Sequence, residues 1–384
     1  MSLASAVSVV TEFRIIAGDQ SLDTPLIAVD LDVLQRNIAE MAALAASYGV
    51  ALRPHAKTHK SPHIARMQLE AGAVGLTCAK LGEAEVLVDQ AGVTDILIAY
   101  PIVGDIKIQR LLHLLERAHV TVAVDTHQAA AALSEAVAVN DRILDVYLEV
   151  NTGQDRAGAR AGQEAVELAV TISRMPGLRL AGIMTHEGHA GFSDPDQIAT
   201  VAENAGQALV DTAERIRRQC IEVAQVSVGS TPASWFTPRV PGITEMRPGT
   251  YVFHDNNAFR HGRISPDRCA ARVVSTVVSR PAGHLKEDRV VIDAGSKALA
   301  LDPSSSHPGH GYIVGHPSSI IARLSEEHGV VTLSPDERGF DVGDQVEIIP
   351  NHICPAVNLT DELVIVQDGN VVDHWPVAAR GKVR

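Results

Sequence analysis

The residues best suited to chemistry in this chain lie in one basic stretch, Arg53 to Lys60, which follows the short apolar run Val50–Leu52. A neighbouring positive charge and partial burial lower the pKa of a lysine, so Lys57 is a candidate for the neutral amine that attacks an aldehyde. The alternative from the residues alone is a solvated basic loop, because lysines outside strands are usually exposed. The stretch therefore predicts either a Schiff-base lysine or an ordinary surface loop.

Three further polar groups follow apolar runs that we interpret as β-strands. They are Asn151–Arg156, the segment Thr185-His186-Glu187-Gly188-His189, and Gly229-Ser230-Thr231. In barrels of parallel strands the functional residues lie at the C-terminal ends of the strands, so these groups and Lys57 are expected to share one face. His186 and His189 are candidates for a proton-transferring base or a ring-stacking residue, and the sequence does not say which of them acts.

The segment after the last of these runs is the best candidate for a phosphate-binding loop. Gly229 permits a tight turn, Ser230 and Thr231 bring hydrogen-bond donors, and Pro232 suits the first position of a helix. Backbone N–H groups at a helix start bind phosphate, although an ordinary helix cap has the same composition. The chain has neither the Walker lysine motif nor a Rossmann GxGxxG that opens a helix after a strand, so these nucleotide sites lack their motif.

A second candidate site is His352-Ile353-Cys354 near the C-terminus. Alternate residues of a strand point to one face, so an extended segment here would present a nitrogen and a sulfur ligand together. Two such ligands hold a metal whose remaining positions stay open for water or substrate. The alternative is a buried cysteine beside a polar histidine.

The elements that must position these residues alternate between strand-like and helix-like patterns up to about residue 258. Eight strand-like runs are predicted at Leu26–Asp30, Val50–Arg53, Ala73–Cys78, Asp95–Tyr100, Val120–Asp125, Leu144–Val150, Leu178–Met184 and Val223–Val228. Segments between them, such as Leu34–Tyr48 and Thr200–Cys220, carry apolar residues at helical spacing. About eight such units predict an α/β fold of the (β/α)8 TIM-barrel type, in which Glu245–Phe253 is a possible further strand.

The pattern changes beyond about residue 260, where short strands are separated by Gly, Pro and Asp. This is typical of an antiparallel β-domain. The predicted organisation is therefore a barrel over residues 1–258, whose first residues are able to pair with the β-domain, and a β-domain over residues 259–384 that carries His352 and Cys354.

The composition restricts the possible partners. The 384 residues are 46% hydrophobic and 21% charged, which is typical of a globular enzyme, and the net charge of −13 argues against nucleic acid and anionic membranes. No apolar run of about 18 residues is present, and residues 1–17 lack the pattern of a secretory signal. We therefore expect a cytoplasmic protein that acts on a small molecule and has no nucleic-acid or membrane partner.

Four scattered cysteines form no CxxC pair, so they predict neither a disulfide framework nor a zinc ribbon. They are Cys78, Cys220, Cys269 and Cys354. We expect three of them to be small core residues.

The sequence PHAKTHK at 54–60 resembles the lysine motif of the pyridoxal-phosphate (PLP) enzymes related to D-threonine aldolase and eukaryotic-type D-serine dehydratase. The likeness extends through Thr24–Asp32, Glu245–Tyr251, Glu327–Gly329 and Pro350–Pro355. It implies a fold-type-III enzyme, which has a barrel followed by a β-domain and acts as a homodimer. It also implies that the first strand joins the β-domain while a later strand completes the barrel.

The resemblance further implies roles for individual residues. Lys57 would bind PLP, Arg156 would contact the phenolic oxygen of the cofactor, and Gly249 would lie near its phosphate beside the Gly229–Thr231 loop. His352 and Cys354 would bind a divalent metal, zinc by preference for sulfur, with manganese or magnesium as alternatives. The remaining cofactor contacts are assigned to His55, Thr185 and Tyr251.

The implied activity is a PLP- and metal-dependent lyase that acts on β-hydroxy-D-amino acids. Retro-aldol cleavage to glycine and an aldehyde is ranked first, because PHAKTHK and the tail Val371–Gly381 resemble the aldolase branch. The alternative is elimination by a D-serine or 3-hydroxy-D-aspartate type of dehydratase, which Cys354 favours because the best-known aldolases have Asp there. A non-catalytic PLP-binding barrel protein is a third possibility, and the β-domain and the metal pair argue against it.

Overall fold

The computed structural model describes residues 22–260, 262–281, 288–304, 307–337 and 340–384. Residues 1–21, and with them the prediction that the chain lacks a secretory signal, lie outside this range. The described chain forms two compact units. The barrel unit contains residues 39–57, 61–249 and 381–384, and the β-unit contains the described residues up to Ile38, Thr58–Lys60 and Thr250–Arg380.

The strands, numbered along the chain, are β1 (Leu26–Asp30), β2 (Ala51–Leu52), β3 (Leu76–Cys78), β4 (Asp95–Ile98), β5 (His119–Val124), β6 (Leu144–Asn151), β7 (Ala159–Arg160), β8 (Leu178–Met184), β9 (Gln225–Val228), β10 (Glu245–Met246), β11 (Ala271–Ser279), β12 (Arg289–Ile292), β13 (Tyr312–Ile313), β14 (Ile320–Leu324), β15 (Gly329–Thr332), β16 (Gln345–Ile349), β17 (Glu362–Gln367) and β18 (Asn370–Pro376). The helices are α1 (Leu31–Tyr48), α2 (Pro62–Glu70), α3 (Leu81–Ala91), α4 (Asp105–Leu114), α5 (His127–Val139), α6 (Gln163–Ile172), α7 (Ile198–Arg217), α8 (Asn256–Arg260), α9 (Ser296–Leu299) and α10 (Ile353–Leu359).

The barrel unit is built from parallel strands in the order β2-β10-β9-β8-β6-β5-β4-β3, with β7 paired to β6. An isolated parallel bridge between His55 and Thr77 joins the ends of β2 and β3 and closes the ring. Helices pack outside it through stripes of apolar residues, as in α7, where Ala202, Leu209 and Ala213 are buried. The predicted TIM-type barrel is therefore confirmed.

The inside of the barrel is filled by side chains from neighbouring strands. One layer contains Leu97, Ala123, Tyr147 and Met184, all of them buried. Because side chains of a strand alternate between its two faces, the residues of β6 that share the parity of Tyr147 also point inward. Such a filled barrel leaves functional groups only at its two ends.

The N-terminal end of the barrel is closed by ion pairs. Arg53 donates to Glu245 at 2.7 Å and to Asp95 at 2.6 Å. Arg179 donates two hydrogen bonds to Asp145, at 2.5 and 2.6 Å, and Nε2 of His119 lies 2.9 Å from the same carboxylate. Burial opposes ionisation of Asp145, but the bonds from Arg179 and His119 outweigh it and lower its pKa. The charges at this end are therefore paired with each other.

The β-unit is a mixed sheet in the order β14-β15-β12-β11-β1-β17-β18, with β16 paired to β11 and β13. Its pairs are antiparallel except for β1 with β17. The predicted β-domain is thus confirmed. Leu26–Asp30 lies between two strands of this sheet, so counting it among the barrel strands was wrong, and β10 takes the eighth position in the barrel.

Several smaller predictions have different outcomes. Cys78 and Cys269 are buried, but Cys220 is exposed, so the prediction of a third core cysteine was wrong. Cys220 follows α7 with φ of 60°, in an irregular connection at the surface. The predicted boundary at residue 258 stays a prediction. Within the described residues, no helix is long and apolar enough to cross a membrane.

Candidate functional site

The C-terminal end of the barrel brings most of the predicted residues together. We call this region the barrel site and define it by Lys57, His55, His186, Arg156 and Arg247. Lys57 is half-buried in the 3-10 turn Ala56–Thr58, and its backbone N–H donates to Nδ1 of His55 at 3.4 Å. The bridge between His55 and Thr77 fixes the start of this turn at the end of β2.

His55 is held as a neutral imidazole. Burial lowers its pKa well below the usual value, and the positive charges of Lys57 and Arg247 lower it further. Because Nδ1 accepts the Lys57 N–H, the ring proton belongs on Nε2. The basic stretch therefore contains a neutral group beside its lysine and is not an ordinary loop of solvated charges.

His186 is the second neutral imidazole of the barrel site. Burial, followed by the charges of Lys57 and Arg156, lowers its pKa to about 3. Its Nδ1 lies 2.5 Å from the carbonyl oxygen of Gly229, so Nδ1 carries the proton and Nε2 keeps a lone pair. A Cβ at Gly188 would lie 2.5 Å from Nε2, so any other residue there would displace the His186 ring.

His189 lies in the 3-10 turn Gly188–Phe192 and, like His186, is partly buried. Burial lowers its pKa, while Asp155 acts in the opposite direction. Its Nδ1 is buried and, in the described part of the chain, has no hydrogen-bond partner. A Cβ at Gly153, where φ is +126°, would lie 2.9 Å from its Nε2. Both histidines keep a free ring nitrogen, and the choice of base stays open.

The predicted phosphate loop has a different structure from the one expected. No α-helix begins at Pro232, and residues 231–237 form turns in which Ser234 N–H bonds to Thr231 O and Thr237 N–H bonds to Ala233 O. Pro238 explains this, because proline restricts the preceding residue and lacks the N–H that a helix needs. The prediction of a helix start was therefore wrong.

The loop still offers backbone donors. Gly229 N–H bonds to Glu187 Oε2 at 3.0 Å and Gly249 N–H bonds to Thr231 Oγ1 at 3.2 Å, so both are already used. The N–H groups of Ser230 and Thr231 donate to no described residue. Gly229 is needed because a Cβ would lie 2.8 Å from Cβ of Arg247. Phosphate binding by this loop stays a prediction that rests on Ser230 and Thr231.

Arg247 was missed as a functional candidate, although it belongs to the Glu245–Tyr251 motif. Its guanidinium is buried and donates to Ser227 Oγ and, at 2.6 Å, to the carbonyl of Thr185. Burial lowers its pKa, and Glu245 and Glu187 oppose this. Arg247 therefore joins the ends of β8 and β9 and places a positive charge beside the neutral histidines. A charged residue directly after a strand was the signal available.

Arg156 borders a narrow cleft that has no room for a water molecule. The cleft is lined by Glu149, Val150, Asn151, Gln154, Arg156, Ala157, Thr185 and His186. Thr185 Oγ1 lies 2.8 Å from Thr152 Oγ1, and Oε1 of Gln154 is buried with no hydrogen-bond partner among the described residues.

The β-unit contains the second candidate site, which we call the metal pair, His352 and Cys354. The prediction that these residues alternate along a strand was wrong, because His352 precedes α10 and Cys354 lies in its first turn. Pro355 explains the helix, since proline is tolerated in a first turn where its missing N–H has no intrahelical partner. The two side chains nevertheless lie in hydrogen-bonding contact.

The surroundings of the metal pair are anionic. Burial lowers the pKa of His352, but Cys354, Asp255 and Asp302 raise it more, to about 9. Asp255 is buried and accepts hydrogen bonds from Ile353 N–H at 3.3 Å and Ala258 N–H at 3.1 Å. Sγ of Cys354 lies 3.3 Å from Thr58 Oγ1. The described residues contain no group of three or more His, Cys, Asp or Glu side chains that could hold a metal ion, and metal binding by the pair stays a prediction.

Tyr251 is fully buried in the turn Thr250–Val252 of the β-unit. The structure does not group it with the residues of the barrel site, and its cofactor contact stays a prediction.

The sequence matches two known families. The model of the alanine racemase N-terminal domain matches residues 29–257, and that of a putative serine dehydratase domain matches residues 270–366. D-threonine aldolase of Arthrobacter sp is 33% identical over 94% of this chain and 93% of its own length. The 3-hydroxy-D-aspartate aldolase of Paracoccus denitrificans is 31% identical over 95% and 94%.

Solved structures agree with these matches. D-threonine aldolase from Filomicrobium marinum superposes with a TM-score of 0.88 at 34% identity and covers 97% of this chain and 100% of its own. A cysteine-to-alanine variant of D-threo-3-hydroxyaspartate dehydratase, described as metal-free, superposes with a TM-score of 0.86 at 31% identity over 94% and 98%.

Proposed function

Because the chain belongs to the alanine racemase N-terminal family, within the group of D-threonine aldolase and its hydroxyaspartate relatives, we propose that it cleaves β-hydroxy-D-amino acids by a PLP- and metal-dependent retro-aldol reaction. Its named relatives are lyases, and the lyase class is shared by aldolases and dehydratases. The observation that supports the finer proposal is the barrel site, where a half-buried lysine lies beside two neutral histidines.

The residues of the barrel site fit PLP. Lys57 would bind the cofactor carbonyl through Nζ, and the N–H groups of Ser230 and Thr231 would bind its phosphate. Buried Nδ1 of His189 and Oε1 of Gln154 are polar atoms for which the described residues offer no partner. PLP, when bound, supplies an electron sink for the bond broken at the substrate α-carbon.

The protein residues then handle orientation and protons. His186 keeps its proton on Nδ1, so Nε2 can receive the proton of the substrate hydroxyl when the carbon–carbon bond breaks. Its pKa of about 3 keeps the ring unprotonated at neutral pH, although it also makes the imidazole a weaker base than a free histidine. Burial keeps both imidazoles neutral, the charge of Lys57 adds to this at both, and Arg247 at His55 and Arg156 at His186 lower the pKa further. The same positive charges attract an anionic ligand. We keep His189 as the second candidate base.

The metal pair fits a divalent metal. Nitrogen and sulfur donors favour zinc, and the nearby Asp255 and Asp302 favour a cation over a neutral ligand. A metal bound there would act as a Lewis acid toward the substrate hydroxyl. The metal-free form of the related dehydratase, in which a cysteine is replaced, supports the proposal that the cysteine side chain matters for metal binding in this group.

Elimination by a dehydratase is the second candidate function, and Cys354 favours it. Both reactions need the same cofactor and the same hydroxyl contact, and they differ in which bond breaks. We further propose that the protein is a cytoplasmic homodimer, and sedimentation at nanomolar concentration tests the dimer. A fully active monomer would contradict it.

Product analysis tests the reaction. With D-threonine, an aldolase gives glycine and acetaldehyde, whereas a dehydratase gives 2-oxobutanoate and ammonia. With 3-hydroxy-D-aspartate the corresponding products are glycine and glyoxylate, or oxaloacetate and ammonia. Glycine from either substrate supports the first proposal, ammonia supports the second, and a protein with no visible cofactor band and no activity toward either substrate contradicts both.

A further inference from the structure

One buried carboxyl group at the C-terminal end of the barrel has no structural explanation. Glu149 is the third residue from the end of β6. It lies directly opposite Met184 of β8, and only 5% of it is exposed. It shares the parity of Tyr147, which belongs to the interior layer, so its side chain points into the barrel. It also lines the cleft beside Arg156 and His186.

The negative charge of the Glu149 carboxylate has little to stabilise it in the described structure. Within the part of the chain that the structure describes, no hydrogen bond reaches its oxygens, and the nearest cation is Arg156, whose Nη2 lies 4.0 Å from Oε1. Burial raises the pKa of Glu149, while the charges of Arg156 and Arg247 lower it and Asp125 raises it. A buried charge without hydrogen bonds is unfavourable for folding, so the residue is not explained by stability.

The side chain of Arg156 has few described contacts that fix its position. Its side chain is 56% exposed, and the ion pair with Glu149 is its only described contact with an anion. Its charge acts on Glu149 and on His186, so it faces both groups across the cleft. Without Glu149, a long and exposed side chain of this kind gains rotamer freedom in water.

We propose that Glu149 is a positioning residue, which holds the guanidinium of Arg156 over the cleft and sets the charge at the group bound there. This inference depends on the proposed function only for the identity of the bound group, which would be PLP. Glu149 touches neither substrate nor cofactor in this account. Its effect on turnover passes through Arg156.

A double-mutant cycle tests this dependence. Glu149→Gln keeps the shape of the side chain and removes its charge, and we expect it to lower kcat about tenfold with a smaller change in KM. Arg156→Ala is expected to lower kcat about a hundredfold, and the double variant should equal Arg156→Ala alone. Independent effects that multiply to about a thousandfold would overturn the proposal.

The visible band of the bound cofactor gives a second readout. Loss of the positive charge at Arg156 should move the pH midpoint of this band upward, and Glu149→Gln should move it in the same direction by a smaller amount, because Arg156 is then no longer held over the bound group. A purely structural role for Glu149 would leave the midpoint unchanged. A downward shift for Glu149→Gln, which direct loss of its negative charge would give, would overturn the proposal.

Thermal unfolding of the cofactor-free protein separates this inference from the proposed function. Folding raises the pKa of Glu149, so stability falls as the pH rises through its ionisation, and glutamine removes this loss. Glu149→Gln should therefore raise Tm at neutral pH, by about 2 °C, and by more in the Arg156→Ala background. If the wild type binds no cofactor, the proposed function is contradicted. If Glu149→Gln raises Tm equally with and without Arg156, the pairing of Glu149 with Arg156 is contradicted.

Asp145→Asn is the matched control, because Asp145 is a buried carboxylate on the same strand that also pairs with an arginine. Folding lowers the pKa of Asp145, so its charge stabilises the fold above its unfolded pKa, and Asn should lower Tm. Its cofactor band and kcat should stay at the wild-type values. A fall in Tm for both variants would make Glu149 a second stabilising residue and would overturn the proposal.

Discussion

The two ends of the barrel use their charged residues differently. At the N-terminal end, Arg53 donates hydrogen bonds to two carboxylates and Asp145 accepts two from Arg179. At the C-terminal end, Lys57 lies beside the imidazoles of His55 and His186, which are neutral at neutral pH. Both ends are formed by the same strands. The first end uses its charges for each other, and the second leaves polar atoms for a ligand. Stability and chemistry are thus separated along the strand axis.

The difference is visible in the direction of the pKa shifts. Asp145 at the paired end has a lowered pKa because the bonds from Arg179 and His119 outweigh burial, while burial dominates at Glu149 four residues along the same strand and raises its pKa. A carboxyl that folding makes easier to ionise stabilises the protein at neutral pH, and one that folding makes harder to ionise does not. Groups of the second kind concentrate at functional sites.

The largest effect is expected at Lys57. Lys57→Ala should remove the cofactor's visible band and lower turnover by at least about a thousandfold, because no other amine occupies the position for covalent attachment. Tm should change little, since the half-buried lysine has no ion pair in the described chain. Lys57→Arg is the matched control, which keeps the charge but cannot attach the cofactor. A band that borohydride still bleaches in either variant would contradict the assignment.

The next effect is expected at the metal pair, which tests whether the barrel site binds the cofactor by itself. Cys354→Ala should lower metal content measured by atomic emission and reduce turnover by roughly a thousandfold, while the cofactor band stays as in the wild type. Cys354→Asp should restore binding with a preference for manganese or magnesium over zinc. Full activity of a metal-free preparation would return Cys354 to the role of a partly buried cysteine.

His186 should have an intermediate effect that depends on pH. His186→Gln should lower kcat about a hundredfold at pH 7. Because folding lowers the pKa of His186 to about 3, the unfolded chain binds a proton more readily below about pH 6.5, so wild-type stability should fall between about pH 6.5 and 3.

The variant should lose less stability than the wild type over this acidic range, as measured by urea unfolding at a series of pH values. His189→Gln serves as the comparison for turnover. If His189→Gln has the larger effect on kcat and His186→Gln is nearly neutral, the base is His189.

The smallest effect on chemistry is expected at the paired end. Arg53→Met leaves Glu245 buried without its cation, which should lower the free energy of unfolding by about 3 kcal/mol. Turnover per folded molecule and the cofactor band should change less than in the variants above, because Glu245 reaches the barrel site indirectly, through Ser227 to Arg247. A change in the band without a loss of stability would contradict the separation of the two ends.

The positions of the strands and the lysine were predictable because they follow from local patterns. Apolar runs of strand length placed Asp95–Ile98 and Leu144–Asn151 within a residue or two. The element around Cys354 was not predictable in the same way, because a helix of seven residues is shorter than the window in which helical spacing shows. The prediction that the side chains of His352 and Cys354 lie close together was correct, although it assumed a strand where the structure has the start of a helix.

Glu149 and Arg247 show what the sequence does not contain. Each lies inside or directly after an apolar run, where a charged residue is visible but its direction is not. Glu149 meets Arg156 through the loop that follows β6, whereas Arg247 meets Thr185 across neighbouring barrel strands. The second contact depends on register between strands that are distant in sequence, which local periodicity does not specify.

The position of Leu26–Asp30 between β11 and β17 affects how the chain folds during synthesis. Leu26 pairs with Val274 and Ala28 pairs with Val364, so this early strand must wait for both partners. At roughly 5–20 residues per second, the ribosome delivers the second partner on the order of tens of seconds later. An unpaired apolar strand can join another chain during that time, so the nascent polypeptide is exposed to aggregation, and its folding rate should be limited by long-range pairing.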